Sequence, residues 1–365
     1  MPMRAVAPAV RKSTDRDHID RILEPHAGED QHVTLEEAAN APGLRWGIIG
    51  TGQIAKKFAI GLTSAAGHTL IAVGSRSAEN AKTFGDAFDV KNRHTSYADL
   101  VNDPEVDAVY VGTPHPDHRD SSILAMQAGK PVLCEKPLTV NAAETREMIE
   151  FSKKNNVFLM EAMWPRFQPS YYWMREQIAA GTIGDIRLVL ADVGWRSTFN
   201  AASRLYAPEL AGGILLDGGV YAVSLASHFL GTPEAITGYA TLGETNVDEQ
   251  GVIAMKYANG ALASLADSAQ ANPIMRARIC GTEGTFSLTE WWWPESVTLT
   301  QQGKEPQVVP FPRVGNGYQF EAQEVARCVA AGLIESPIMP HAESLSIMET
   351  MDELRRQWGV RYPFE

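Results

Sequence analysis

The run Arg45-Trp46-Gly47-Ile48-Ile49 ends in Gly50-Thr51-Gly52-Gln53-Ile54-Ala55, and an amphipathic stretch to Leu62 follows at once. A short apolar strand, a glycine turn and a helix in that order restrict the chain to parallel βαβ architecture. Each small residue has its own reason. Gly50 permits a tight turn, Gly52 lets a pyrophosphate approach the backbone, and Ala55 lets the helix pack closely on the strand. The free N–H groups at the helix start then point at the phosphates. The strand-to-helix context makes this a dinucleotide-binding loop and not a chance match.

The pattern continues beyond the loop. Leu70 to Val73, Ala108 to Val111, Pro131 to Cys134 and Val157 to Met160 read as further strands, apolar almost throughout, as when helices cover both faces of a sheet. Ile54 to Leu62, Ala78 to Phe88, His118 to Ala128 and Ala142 to Lys154 read as the helices between them. After about Pro165 the texture changes. A helix over Ser170 to Ala180 and another from near Gly212 to Leu230 are joined by β-type runs at Ile186–Val193, Ile236–Leu242, Val252–Tyr257, Leu262–Ala266, Met275–Ile279, Thr285–Leu288 and Val297–Thr300. Asn259-Gly260 and Gly281-Thr282-Glu283-Gly284 supply hairpin turns, and helices close the chain at Gln319–Ala331 and Glu343–Trp358. The expected fold is a doubly wound parallel Rossmann domain (44–165) followed by a mostly antiparallel open-sheet α+β domain (166–365). An N-terminal arm (1–43) precedes them, polar and proline-containing, with Thr34 and Glu37 at capping-box spacing.

Composition narrows the partners. Lys+Arg 32 against Asp+Glu 44 gives a net charge of −12, which repels a nucleic acid backbone in the absence of a basic stripe. No run reads as a membrane span. Cys134, Cys280 and Cys328 are too few and too scattered for a disulfide framework, and the first forty residues lack a secretory signal pattern. A reducing, cytoplasmic home is expected.

The end of the second strand reads Gly74-Ser75-Arg76-Ser77 where an NAD site shows Asp or Glu. A guanidinium and a hydroxyl there favour NADP over NAD; a merely solvated arginine is the alternative. Thr113-Pro114-His115 with His118, and Glu135-Lys136-Pro137, lie at carboxyl ends of parallel strands, where ligands of such folds bind. His115 and His118 lack a third ligand, so no metal is expected. In Gly212-Gly213-Ile214-Leu215-Leu216-Asp217-Gly218-Gly219-Val220-Tyr221, a helix would set Asp217 and Tyr221 on one face at i and i+4. A structural aspartate and a core tyrosine are the plainer reading.

Together the Gly50–Ala55 loop, Glu135-Lys136-Pro137 and the Gly212-Gly213…Asp217…Tyr221 segment resemble the glucose-fructose oxidoreductase, inositol dehydrogenase and MocA-type family of NAD(P)-dependent oxidoreductases, from about Leu44 onward. Tyr221, Glu161-Ala162-Met163-Trp164 and Arg204 look most like its dimeric dihydrodiol dehydrogenase and NADP-dependent D-xylose dehydrogenase branch. The resemblance implies hydride transfer between NADP and a sugar, polyol or diol. Lys136, Asp217 and Tyr221 would then be catalytic, with Lys136 lowering the phenol's pKa. Gly50, Thr51, Gly52, Gln53, Ile54, Ser75, Arg76, Thr113, Pro114, His115, His118, Glu135 and Lys136 would meet the cofactor, and Trp164 and Arg204 the substrate. Two other readings stay open: a sugar-sugar oxidoreductase that retains its cofactor, and a non-catalytic NADP-binding regulator. The resemblance also implies a homodimer or higher homo-oligomer through the second sheet. Trp291-Trp292-Trp293, read as a strand, would present aromatic rings on both faces, with an edge turn as the alternative.

Overall fold

The computed structural model describes residues 34–365. Pro2, Pro8, Pro25 and the rest of the expected arm before Thr34 lie outside the described residues. The capping box is present. Thr34 Oγ1 accepts from the Glu37 amide at 3.2 Å and the Glu37 carboxylate accepts from the Thr34 amide at 2.9 Å, starting α1 (Leu35–Ala39).

The elements that follow are β1 (Arg45–Ile49), α2 (Gln53–Leu62), β2 (Thr69–Gly74), α3 (Ala78–Ala87), β3 (Asn92–His94), α4 (Tyr97–Val101), β4 (Ala108–Val111), α5 (His118–Gln127), β5 (Val132–Glu135), α6 (Ala142–Asn155) and β6 (Leu159–Ala162). The six strands pair in parallel in the order β3-β2-β1-β4-β5-β6. Every residue of β4, β5 and β6 is buried, which explains their unbroken apolar pattern. Phe58 of α2 stacks on Tyr110 of β4 at 3.9 Å, locking the helix onto the sheet behind the glycine loop. Strand order reverses between β1 and β4, and the crevice at such a reversal is where these folds bind ligands.

Two local expectations need correction. Sequence patterning missed β3 and α4, because Asn92-Arg93-His94 is a short polar edge strand whose only neighbour among the described residues is β2. The sixth strand lies at Leu159–Ala162, not Val157–Met160. Asn156 ends α6 in the left-handed region (φ 52°) and the Val157 amide still bonds back to Ser152, so the strand starts later.

The second half comprises α7 (Pro169–Ala179), β7 (Ile186–Gly194), α8 (Val220–Leu230), β8 (Ala235–Leu242), β9 (Asp248–Lys256), β10 (Leu262–Ser268), β11 (Arg276–Gly281), β12 (Gly284–Thr289), β13 (Ser296–Gln301), β14 (Gln307–Pro310), α9 (Gln319–Ala330) and α10 (His341–Trp358). Eight strands form one sheet in the order β14-β13-β12-β11-β7-β10-β9-β8, antiparallel except for β7 beside β10. Burial alternates along β10 and β11, as expected of a sheet with one packed and one open face. The polar edge strand β14 was not legible from the pattern.

Trp291, Trp292 and Trp293 are not in a strand. They follow Glu290, which has φ 47°, in a turn after β12, so strand alternation does not apply. Trp291 is buried and donates its indole N–H to the Asp192 carbonyl at 2.8 Å, while Arg313 covers Trp293. Both contacts are made within the chain, as the edge-turn reading holds. The stretch Pro208–Leu230 is long and apolar enough to cross a membrane, but 89% of its apolar window is buried inside the protein. It is a core segment.

Candidate active site

A cleft of about 850 Å³ opens at the strand-order reversal. Gly50, Thr51, Gly52, Gln53, Ile54, Ser75, Arg76, Thr113, Pro114, His115, His118, Glu135, Lys136, Arg204, Asp217 and Tyr221 all line it. Of the residues named from sequence, Trp164 alone does not. It lies one layer behind, stacked on Tyr318 at 5.0 Å, and its indole N–H donates to the Tyr221 hydroxyl at 3.3 Å.

The two ends of the cleft differ. At the glycine-loop end, Gly50 has φ 96°, and a Cβ there would stand 2.7 Å from the Gly112 carbonyl. Only glycine fits. Gly52 caps α2 without a side-chain bond, so the first amides of that helix are not taken by a side-chain cap. Arg76 reaches Asp117 at 3.3 Å with most of its side chain exposed, and the Ser75 hydroxyl oxygen accepts from the Ser77 amide at 3.2 Å.

At the other end Lys136, Asp217 and Tyr221 meet. The Lys136 ammonium donates to the Asp217 carbonyl at 2.6 Å and lies 3.3 Å from its Oδ1. It also sits 4.6 Å from the centroid of the Tyr221 ring, a cation over a π face. Arg204 grips Asp217 through both terminal guanidinium nitrogens at 2.8 and 2.9 Å, the bidentate geometry that makes such pairs strong.

The helix expected from Gly212 takes another form. Gly213 has φ 119°, Leu215–Gly219 winds as one π-helical turn, and the α-helix begins only at Val220. Asp217 and Tyr221 therefore do not share a continuous α-helical face. The wider turn is held from beneath: the Leu215 amide donates to Asp248 Oδ2 at 2.6 Å, and a Cβ on Gly219 would stand 2.3 Å from Asp267 Oδ2.

Electrostatics follow from this packing. Burial opposes the Asp217 carboxylate, but Lys136 and Arg204 outweigh it and hold the group well below the usual carboxylate range. Burial likewise opposes the Lys136 ammonium, yet Tyr221 and Asp217 carry its pKa above the ordinary lysine value. The expectation that Lys136 brings the Tyr221 phenol below its usual pKa is not met. Burial raises that pKa, and Lys136 offsets only part of the rise. His115 is kept neutral by burial, then by His118 and Arg204.

Two family models match the chain, one described as an oxidoreductase family with an NAD-binding Rossmann fold over residues 44–163 and one as the GFO/IDH/MocA C-terminal domain over residues 171–287. The chain belongs to the GFO/IDH/MocA oxidoreductase family. It is 39% identical over 331 residues to a trans-1,2-dihydrobenzene-1,2-diol dehydrogenase of Xenopus laevis, covering 87% of this chain and 99% of that protein. Among solved structures, it resembles an aldose-aldose oxidoreductase from Caulobacter crescentus (TM-score 0.79, 24% identity, 87% of this chain and 97% of the other). It also resembles a 3-ketoreductase from Actinomadura kijaniata in complex with NADP (TM-score 0.77, 25% identity, 87% and 98%).

In this GFO/IDH/MocA oxidoreductase the residues present fit a nicotinamide dinucleotide: a Cβ-intolerant glycine turn, a helix start without a side-chain cap, and a cleft running from there to Lys136. Both ring nitrogens of His118 face carbonyls, Pro137 at 2.9 Å and Thr113 at 3.0 Å; burial keeps the ring neutral, so it donates to one of these two cleft loops and packs against the other. No cluster of three metal-ligating side chains occurs among the described residues. Sequence reasoning missed Lys57, Asn80, Tyr97, Trp195 and Tyr318, which also line the cleft. Lys57 stands four residues after Gln53 on α2, a helical spacing that could have revealed it. Tyr318 reaches the cleft from the start of α9, about a hundred residues beyond Tyr221, and no local pattern signals it.

Proposed function

We propose that this protein is an NADP-dependent dehydrogenase that exchanges hydride with a CH–OH carbon of a diol, polyol or sugar. One observation carries the reading: a lysine, an aspartate and a tyrosine converge at one end of a cleft whose other end is a dinucleotide turn with Ser75 and Arg76 beside it. The 39% identical dihydrodiol dehydrogenase supports the substrate class. When bound, the nicotinamide supplies the hydride acceptor or donor.

The chain's own residues handle the proton. In oxidation Tyr221 takes it from the substrate hydroxyl; in reduction Tyr221 gives it back. The Lys136 ammonium above the ring favours the phenolate and polarises the substrate oxygen. Asp217, fixed by Arg204, holds Lys136 in place, so Arg204 acts first on Asp217 and meets substrate only with its exposed side. Trp164 orients the Tyr221 hydroxyl from behind. A panel of aldoses, polyols and trans-diols, scored by NADPH absorbance in both directions, tests the reading. No turnover on any of them would reject it.

NADP preference rests on Arg76. Arg76→Ala is expected to weaken NADPH binding at least about tenfold, the scale of a lost charge-assisted contact, while NADH binding stays within about twofold. Fluorescence titration measures both, and equal losses would leave Arg76 with no role at a 2′-phosphate.

The open face of the eight-stranded sheet carries Tyr239, Val252 and Leu262, exposed at 83%, 55% and 51%, with Tyr239 opposite Val252 in register. We assign this face to a homodimer, because large apolar side chains exposed on an open sheet face mark association surfaces. Sedimentation is expected to show twice the chain mass, and Tyr239→Arg to halve it. Three cysteines without disulfides accord with a cytoplasmic enzyme.

A further inference from the structure

Two segments bring the proposed catalytic groups together, the loop after Lys136 and the turn before Asp217. A third segment touches both from the side away from the cleft. Gly359 ends α10 with φ 79°, and the chain turns back so that the Val360 amide bonds to the Arg355 carbonyl at 3.0 Å.

Arg355, 5% exposed, is the centre of the arrangement. It donates to the Val140 carbonyl at 3.2 Å, four residues after Lys136. The same guanidinium pairs with Glu365 at 2.8 and 3.0 Å and lies 4.7 Å from the Tyr362 ring centroid. It also bonds Asp352 at 2.9 Å, whose other oxygen accepts from the Ala142 amide at 2.8 Å. The loop after Lys136 is thus held at two successive points. Tyr362, 3% exposed, donates its hydroxyl to the Gly212 carbonyl at 2.8 Å, five residues before Asp217. Gly213 follows, where a Cβ would stand 2.2 Å from Asp248 Oδ1. The turn has no slack there.

We propose that Arg355 and Tyr362, with the segment Val360–Glu365, are positioning residues: they strap the Lys136 loop to the Asp217 turn and so set the separation of Lys136 from Asp217 and Tyr221. This rests on the reading of Lys136 and Tyr221 as the proton-handling pair. The physical argument is one of leverage. The Lys136–Asp217 contact spans two segments with different chain origins, and a displacement on the order of 1 Å at a reacting group can lower a rate about 10²-fold. Hydrogen bonds to buried backbone carbonyls on both segments resist that displacement without entering the cleft.

Tyr362→Phe removes only the hydroxyl bond to Gly212. It is expected to lower kcat about tenfold while KM and the NADPH dissociation constant stay within about twofold. The rising limb of kcat for oxidation should move to higher pH, since a more distant Lys136 assists the Tyr221 phenolate less. Acetylation of Lys136 by acetic anhydride, followed by peptide mass spectrometry, should quicken, and that readout needs no turnover. Arg355→Lys keeps the charge and loses the fork, and should act in the same direction. Tyr171→Phe removes another buried phenol-to-carbonyl bond, to Trp291 at 3.0 Å, and serves as the control for plain destabilisation. Unchanged kcat and unchanged Lys136 labelling in both strap variants would overturn the proposal, as would an equal kcat loss in Tyr171→Phe. A parent enzyme inactive on every alcohol would reject the function instead, and labelling would still decide the strap.

Discussion

Lys136→Met is expected to lower kcat by about 10²–10⁴-fold, the range over which a positioned proton-transfer group acts. The ammonium has three partners in one place: the Asp217 carbonyl at 2.6 Å, the Asp217 carboxylate, and the face of Tyr221. Methionine matches its length and none of its charge, so Tyr221 loses the one contribution that lowers its pKa most strongly against burial. Asp217 keeps Arg204, which limits structural collapse. Tyr221→Phe should fall as far if, as proposed, the phenol exchanges the proton. The pH dependence follows in sign. With the Tyr221 pKa above its ordinary value of 10.0, the basic form needed for oxidation grows with pH and kcat should still be rising at pH 9. Lys136, raised by its neighbours, remains charged across that range. Steady-state kinetics with cofactor titration measures all of this; a Lys136→Met enzyme with more than about a tenth of parental kcat would remove Lys136 from the chemistry.

What the sequence disclosed and what it withheld divide along physical lines. The glycine loop was legible because Gly50 answers a backbone demand that no other residue meets, and such demands are written locally. Lys136 and Tyr221 were legible as a set because each stands at a recognisable end of an element. Arg204 was noticed, but its bidentate hold on Asp217 depends on a long excursion between β7 and α8 that no periodicity describes. Trp164, expected to meet the substrate, lies behind the cleft, because a 3₁₀ turn after β6 aims its indole at Tyr221. The π turn was invisible for a related reason. Its cause is not in Leu215–Gly219 but in Asp248 and Asp267, which reach it from β9 and β10. The tryptophan triplet misled because its composition favours strand, while Glu290 in the left-handed region and the Trp291 contacts to β7 and α7 make it a turn. In each case the missing term was a contact between segments distant in the chain.

The same two aspartates give the second large effect. Asp267→Asn is expected to raise thermal stability only slightly at pH 5, where about a quarter of the ionisation penalty has developed, and by several degrees at pH 9. Asp267 is buried against the Gly251 and Gly219 backbone, and neither carboxylate oxygen accepts a hydrogen bond of ordinary geometry. Burial, then the neighbouring Asp248, pushes its pKa from 3.8 up to about 8. Asp248 itself is raised by burial to about 6 despite its bond from Leu215. Below about pH 4 Asp267 is protonated both folded and unfolded and contributes no pH dependence. Between there and about pH 8 the folded chain binds a proton that the unfolded chain has released, so stability falls as pH rises. Above pH 8 the loss is complete. At about 1.4 kcal/mol per unit it is on the order of 5 kcal/mol. Asparagine keeps the shape of the neutral acid and cannot ionise, so the difference between variant and parent opens with pH. Other buried acids, Glu161 at about 7 among them, tilt both proteins alike and cancel. The consequence reaches the cleft, because Asp267 lies under Gly219 between Asp217 and Tyr221. Alkaline pH favours the basic form of Tyr221 that the proposed mechanism needs, while it ionises the group beneath the turn that carries the site, so activity in oxidation and stability should run in opposite directions, and Asp267→Asn should separate them. Melting curves at pH 5, 7 and 9 make the measurement, and a Tm difference that does not widen with pH would mean that Asp267 is already charged and satisfied in the folded protein.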